Sequence, residues 1–89
     1  MRSRATPRFW AAYRQLPDDL KERARQAYQR FRENPRHPGL RFKRVHADEP
    51  IYAARITRDC RALCLVEGGE AVWFWIGSHA DYDLLLKQL

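Results

Sequence analysis

Residues 71–76, AVWFWI, form an unbroken apolar run containing two tryptophans and a phenylalanine. β-Branched and aromatic residues at this density suit a strand buried on both faces, so the run is expected to be a central strand of a sheet. Gly77 ends it. Ser78, with Asp81 three positions later, is a helix-start signature, and Tyr82, Leu85, Leu86 and Leu89 then fall on one face of a short helix. A buried strand therefore hands the chain directly to a helix N-terminus carrying His79, Asp81, Tyr82 and Asp83.

The upstream chain has to supply the partners of that strand. Thr6-Pro7 reads as an N-cap and first helical residue, with Phe9, Ala12, Tyr13 and Leu16 as a helical stripe. Leu16-Pro17 closes this helix, because proline disfavours helical geometry in the residue before it. Pro17 opens a second helix whose positive end carries Asp18, Asp19 and Glu22. Its inner face is Leu20, Ala24, Ala27, Tyr28 and Phe31, and Asn34-Pro35 stops it. Residues 40–45 then alternate Leu40, Phe42 and Arg44 against Arg41, Lys43 and Val45, the pattern of a half-buried strand. Residues 51–57 place Tyr52, Ala54 and Ile56 on one face and Arg55 on the other. Residues 61–67 place Leu63 and Leu65 on the side of Arg61, and Gly68-Gly69 signals a tight hairpin into the aromatic strand. Residues 2–6 show no convincing alternation and form at most a short edge strand. The expected fold is α+β: an N-terminal α-helical hairpin packed on a four-stranded, mainly antiparallel sheet, with a short C-terminal helix. At 89 residues, one domain spanning 1–89 is expected.

Charge is divided unevenly. Residues 1–50 hold 13 Lys/Arg against 6 Asp/Glu, whereas residues 51–89 hold 4 against 5. Arginine dominates, which suits bidentate contacts to phosphate or carboxylate. A small cation of this kind is expected to meet a polyanion, either nucleic acid or an acidic protein, although solvated arginine faces on a basic domain give the same composition. No segment approaches the ~18 apolar residues of a membrane span, and the arginine-rich N-terminus lacks the apolar core of a signal peptide, so a cytoplasmic location is expected. Cys60 and Cys64, four residues apart on one strand, would have Cα atoms roughly 13 Å apart, too far to bridge. They lack further ligands at useful spacing and are expected to pack in the core, with no metal and no cofactor.

In a hairpin closed by Gly68-Gly69, the start of the first strand lies beside the end of the second. Arg61 therefore approaches Gly77–His79 on the sheet face away from the helical hairpin, with Arg55, Arg41 and Lys43 close by if their faces match. Cations, an imidazole, carboxylates and a phenol in one hollow suit cleavage of RNA without a metal. The ribose 2′-OH attacks the adjacent phosphate, which needs a proton acceptor, a proton donor and positive charge on the phosphorane. Imidazole is the side chain suited to moving protons near neutral pH, which singles out His79; Asp81 is placed to accept a proton or orient His79; Tyr82 is placed to donate one or stack on a base; Arg61 is placed to hold the phosphate. The same residues also have structural readings. Asp81 and Asp83 suit any helix first turn, and Tyr82 belongs to the apolar stripe.

The order of these features resembles the RelE/ParE superfamily of toxins from bacterial type II toxin–antitoxin modules, and more closely its RelE/HigB-like branch. The resemblance rests on Thr6-Pro7-Arg8-Phe9 opening the helical hairpin and on the basic residues 40–45 after a Pro-rich connection. It continues through Ile56-Thr57-Arg58-Asp59-Cys60-Arg61 and Ile76-Gly77-Ser78-His79-Ala80-Asp81-Tyr82-Asp83. It implies an mRNA interferase of the cytoplasm, often acting on the ribosome and neutralised by an acidic antitoxin. By position it implies Arg61, His79, Asp81 and Tyr82 as the catalytic set, and Arg41, Lys43 and Arg44 as RNA contacts, joined by Arg55 from the reading of the sheet face. The ParE branch instead acts on DNA gyrase, and an inactive member that only binds its antitoxin is the remaining alternative.

Overall fold

Thr6 begins the first helix as its sequence implies: its Oγ1 accepts a hydrogen bond from the Phe9 amide (3.2 Å), with Pro7 in the first turn. The computed structural model describes residues 1–89. In chain order it comprises β1 (Arg2–Ala5), α1 (Pro7–Arg14), α2 (Asp18–Glu33), a 3-10 turn (Pro38–Leu40), β2 (Lys43–Arg44), β3 (Ile51–Thr57), β4 (Cys60–Glu67), β5 (Glu70–Ser78) and α3 (His79–Gln88). The strands form one sheet in the order β1-β5-β4-β3-β2, antiparallel except where β1 runs parallel to β5. The α+β architecture with a helical hairpin on one face is as expected, but the sheet has five strands.

The fifth strand is β1, which hydrophobic periodicity does not reveal because its outward residues, Arg2 and Arg4, are polar. It is held instead by partners supplied from β5. The Trp73 indole N–H donates to Ser3 Oγ (2.7 Å), and Arg4 pairs with Glu70 (3.1 Å). Residues 40–45 depart from expectation in the opposite sense. Leu40 ends the 3-10 turn fully buried, Arg41 takes a left-handed backbone (φ 45°), and only Lys43 and Arg44 pair with β3. The alternation survives without the strand, since Phe42 packs with the helices while Val45 packs on the other face.

The hairpin at Gly68-Gly69 forms as expected, both glycines having positive φ (58° and 75°), which a two-residue hairpin turn requires. Opposite β4, Trp73 faces Cys64 and Trp75 faces Leu63, so Phe74 is an extra residue, a β-bulge. The bulge turns Trp73 and Ile76 to the same face. β5 is thus an interior strand between β1 and β4. Its helix-hairpin face is buried (Ala71, Trp73, Ile76), whereas Val72, Phe74 and Trp75 on the other are half-buried, because α3 is too short to cover them.

Two cores result. On one face Ala24, Ala27 and Phe31 of α2 meet Ala54, Ala62, Cys64 and Trp73, with Phe31 edge-on to Trp73 (5.2 Å) and Phe42 (5.1 Å). On the other, Ile51, Ala53 and Leu63 receive Tyr82, Leu85 and Leu86 of α3. Cys60 and Cys64 are buried free thiols, as expected of packing residues, and burial pushes them up to about 11 and 12. α1 lies over β5 and α2 over β3. Between them is an apolar groove of about 640 Å³, walled by Phe9, Trp10, Tyr13, Tyr28 and Phe31, with Arg4, Arg25 and Arg32 also bordering it. No helix is long and apolar enough to cross a membrane.

Candidate functional site

Strand register assembles the second concavity. On β4, Arg61 stands opposite Gly77 of β5 on one side and opposite Arg55 of β3 on the other. Cys60 stands opposite Ser78, so α3 starts beside the head of β4, and the His79 amide donates to the Asp59 carbonyl (2.8 Å). Ser78 caps the helix, its Oγ accepting from the Asp81 amide (3.1 Å). Lys43 pairs with Ala53 at the far edge. A hollow of about 130 Å³ opens among these elements, lined by Arg41, Lys43, Arg55, Arg61, His79 and Tyr82 around Ala53. It lies on the opposite face of the sheet from the apolar groove. Ala54 lines the groove while its neighbours Ala53 and Arg55 line the hollow.

The hollow is cationic and unneutralised. Of the molecule's ion pairs, none involves Arg41, Lys43, Arg55 or Arg61. Like charges directly opposite on neighbouring strands destabilise a sheet, and Arg55 and Arg61 are such a pair. A bound anion would relieve that repulsion. Arg61 is also pre-oriented: its Nη1 donates to the carbonyls of Thr57 (2.5 Å), Arg58 (3.1 Å) and Cys60 (3.1 Å). One corner of the guanidinium is thereby pinned to the β3–β4 turn, and its other nitrogens have no protein partner. Arg41 is the sole non-glycine residue with positive φ, a conformation that persists only where its surroundings impose it.

His79 and Tyr82 form the other wall. Their rings meet edge to face at 5.5 Å between centroids, and Tyr82 is buried. Burial raises the Tyr82 phenol above its usual range, Arg61 opposing the shift and Asp83 adding to it. The phenol therefore remains neutral at physiological pH, a hydrogen-bond donor and not a base. His79 Nδ1 lies 3.2 Å from Asp83 Oδ2.

Six of the eight residues named from sequence, Arg61, His79, Tyr82, Arg41, Lys43 and Arg55, thus line one hollow. Two do not. Arg44 turns away, donating to the carbonyls of His46 (3.0 Å) and Ala47 (3.4 Å) in the following turn. Asp81 is exposed and outside the hollow; the carboxylate that reaches His79 is Asp83. The signal for Asp83 was present as His-x-x-x-Asp on a helix, since residues four apart share a face and residues two apart do not. No group of three or more His, Cys, Asp or Glu side chains stands close enough to hold a metal ion.

Residues 18–83 match the family model of the ParE-like toxin domain. Comparison with curated proteins gave no match. Among solved structures, the fold is similar to that of YafQ from E. coli (TM-score 0.74, 10% identity, 92% of this chain and 98% of that one). It is similar also to the YoeB/ParE toxin from Agrobacterium tumefaciens (TM-score 0.70, 16% identity, 89% and 99%). A third likeness is to a chain of the RelB-RelE antitoxin-toxin complex from Methanococcus jannaschii (TM-score 0.68, 14% identity, 90% and 95%).

Proposed function

The chain belongs to the ParE-like toxin domain family, within the RelE/ParE superfamily, and on that premise we propose that this toxin is an mRNA interferase, a cytoplasmic endoribonuclease that halts translation. The observation that carries the proposal is the hollow itself: four cations, none of them in an ion pair, beside an imidazole and a neutral phenol. An RNA phosphate flanked by a 2′-OH is the anion that uses all of them. Arg61, with Arg55 opposite, holds the scissile phosphate and stabilises the charge that develops on the phosphorane. Arg41 and Lys43 hold the adjoining backbone. The unprotonated nitrogen of His79 takes the proton of the attacking 2′-OH. As the P–O5′ bond breaks, the Tyr82 phenol gives its proton to the leaving oxygen, yielding a 2′,3′-cyclic phosphate and a free 5′-OH. Each positioned proton-transfer group contributes ~10²–10⁴-fold.

The proposed partner is an acidic antitoxin, in keeping with the similarity to the toxin chain of an antitoxin–toxin complex. The apolar groove between α1 and α2, with exposed Trp10 and Tyr28 and bordering arginines, has the chemistry to receive an acidic amphipathic segment.

Primer extension on an mRNA, with and without ribosomes, tests the activity. Wild-type protein should introduce discrete cuts. Arg61→Ala and His79→Ala should each reduce cutting about 100-fold or more; undiminished cutting by both variants would remove the assigned roles. A second reading, a non-nuclease toxin acting on DNA gyrase, draws on Leu84 and Leu89, which α3 leaves exposed for a protein target. Inhibition of gyrase supercoiling without RNA cleavage would favour it.

A further inference from the structure

We infer that Asp83 is the positioning residue of the site, holding His79 with its proton on Nδ1 and leaving Nε2 as the nitrogen that accepts the 2′-OH proton. This inference rests on the endoribonuclease reading above. Asp83 is absent from the residues that line the hollow; its short contact is with His79, and its charge also helps to raise the neighbouring Tyr82 phenol.

Three contacts fix the imidazole. The backbone of His79 is tied to the β3–β4 turn through Asp59, which sets where the side chain leaves the helix. The Tyr82 ring stands edge-on against it at 5.5 Å with planes 72° apart, and Tyr82 is itself anchored in the α3-side core. Asp83 Oδ2 then lies 3.2 Å from Nδ1. The contact is at ion-pair distance, and because a carboxylate accepts hydrogen bonds and cannot donate one, its approach to Nδ1 favours the tautomer with the proton there. Nε2 has no protein partner. In free solution a neutral imidazole prefers its proton on Nε2, the tautomer that would leave a base pointing at Asp83 and away from the substrate. The carboxylate one helical turn along reverses that preference.

Asp81 cannot perform this task. It lies two positions beyond His79, on the opposite side of the helix, whereas Asp83 at four positions shares its face. An exposed i,i+4 pair elsewhere on a helix would contribute a few tenths of a kcal/mol to stability and nothing else. What gives this one a consequence is that its imidazole borders the cationic hollow.

The test uses full-length wild-type protein, Asp83→Ala and Asp83→Asn, compared in single-turnover RNA cleavage and by ¹⁵N NMR of the histidine rings. Asp83→Ala should slow the cleavage step about tenfold, a fraction of the ~10²–10⁴ that a positioned base supplies, at unchanged substrate affinity. Its His79 ring should shift toward the Nε2–H pattern. Asp83→Asn keeps an acceptor oxygen for Nδ1–H and should retain the wild-type tautomer and most of the rate. Wild-type cleavage by Asp83→Ala, or an Nδ1–H pattern that persists in it, overturns the inference while leaving the endoribonuclease reading intact. Wild-type protein that leaves RNA uncut overturns both.

Discussion

Replacing Arg41 by glycine should make the protein more stable and its anion hollow weaker. Arg41 sits at φ 45°, ψ 41°, immediately after the buried Leu40. Left-handed backbone costs a residue with a Cβ about 1–2 kcal/mol, a cost glycine avoids. Glycine in turn loses more conformational freedom on folding, an opposing ~0.5–1 kcal/mol. The Arg41 side chain makes no ion pair, and its backbone N–H bond to Pro38 O (3.2 Å) survives the change. The net expectation is a gain of about 0.5–1 kcal/mol, or roughly 2–8 °C in Tm for a domain of this size. Binding should move the other way. One cation fewer should lower affinity for single-stranded RNA and reduce the slope of log K against log salt by about 0.7. Arg41→Ala separates the two effects, because it removes the guanidinium and keeps the strain: it should lose affinity without gaining Tm. Thermal melts and RNA titrations at several salt concentrations measure both. If Arg41→Gly melts at or below wild type, the backbone is not held under strain there. If its salt slope is unchanged, Arg41 does not meet phosphate.

Gly77→Ala should destabilise the fold by ~1–3 kcal/mol, because a Cβ at this position would stand 2.5 Å from the Trp75 ring and force the indole off the strand. An unaltered melting temperature would contradict that contact. Stability should also fall at alkaline pH. The folded Cys60 and Cys64 thiols titrate at about 11 and 12 against an ordinary 9.0, so folding favours the protonated form. The stability this brings is complete below pH 9 and is lost as pH rises toward 11–12, on the order of 1 kcal/mol per pH unit for each thiol. Urea melts at pH 8, 9.5 and 10.5 should show the decline, and Cys60→Ala/Cys64→Ala should flatten it.

Most elements were legible locally. Thr6-Pro7, Leu16-Pro17, Asn34-Pro35, Gly68-Gly69 and Ser78 mark helix or hairpin boundaries through backbone chemistry that acts within a few residues, and each boundary falls within a residue or two of its signal. Elements held by distant groups were not legible. β1 depends on the indole of Trp73 and the carboxylate of Glu70, some seventy residues away in sequence. The buried Leu40 in its 3-10 turn and the left-handed Arg41 shorten the strand expected over residues 40–45 to Lys43–Arg44, and Arg44 is drawn out of the site by two turn carbonyls.

The chain by itself determined that Arg61 and His79 would come near each other, because a two-residue turn lays the head of β4 beside the exit of β5; the bulge at Phe74, which neither the turn nor alternation foretells, then set Arg61 opposite Gly77. It could not determine which further groups would join them. That Arg55 faces Arg61 without a counter-ion, that Arg41 reaches in from a left-handed turn, and that Asp83 and not Asp81 backs the imidazole were decided by the pairing of β3 with β4 and the seating of α3 on the sheet. Side-chain direction in those places is set by contacts between segments, and a contact between segments has no local code.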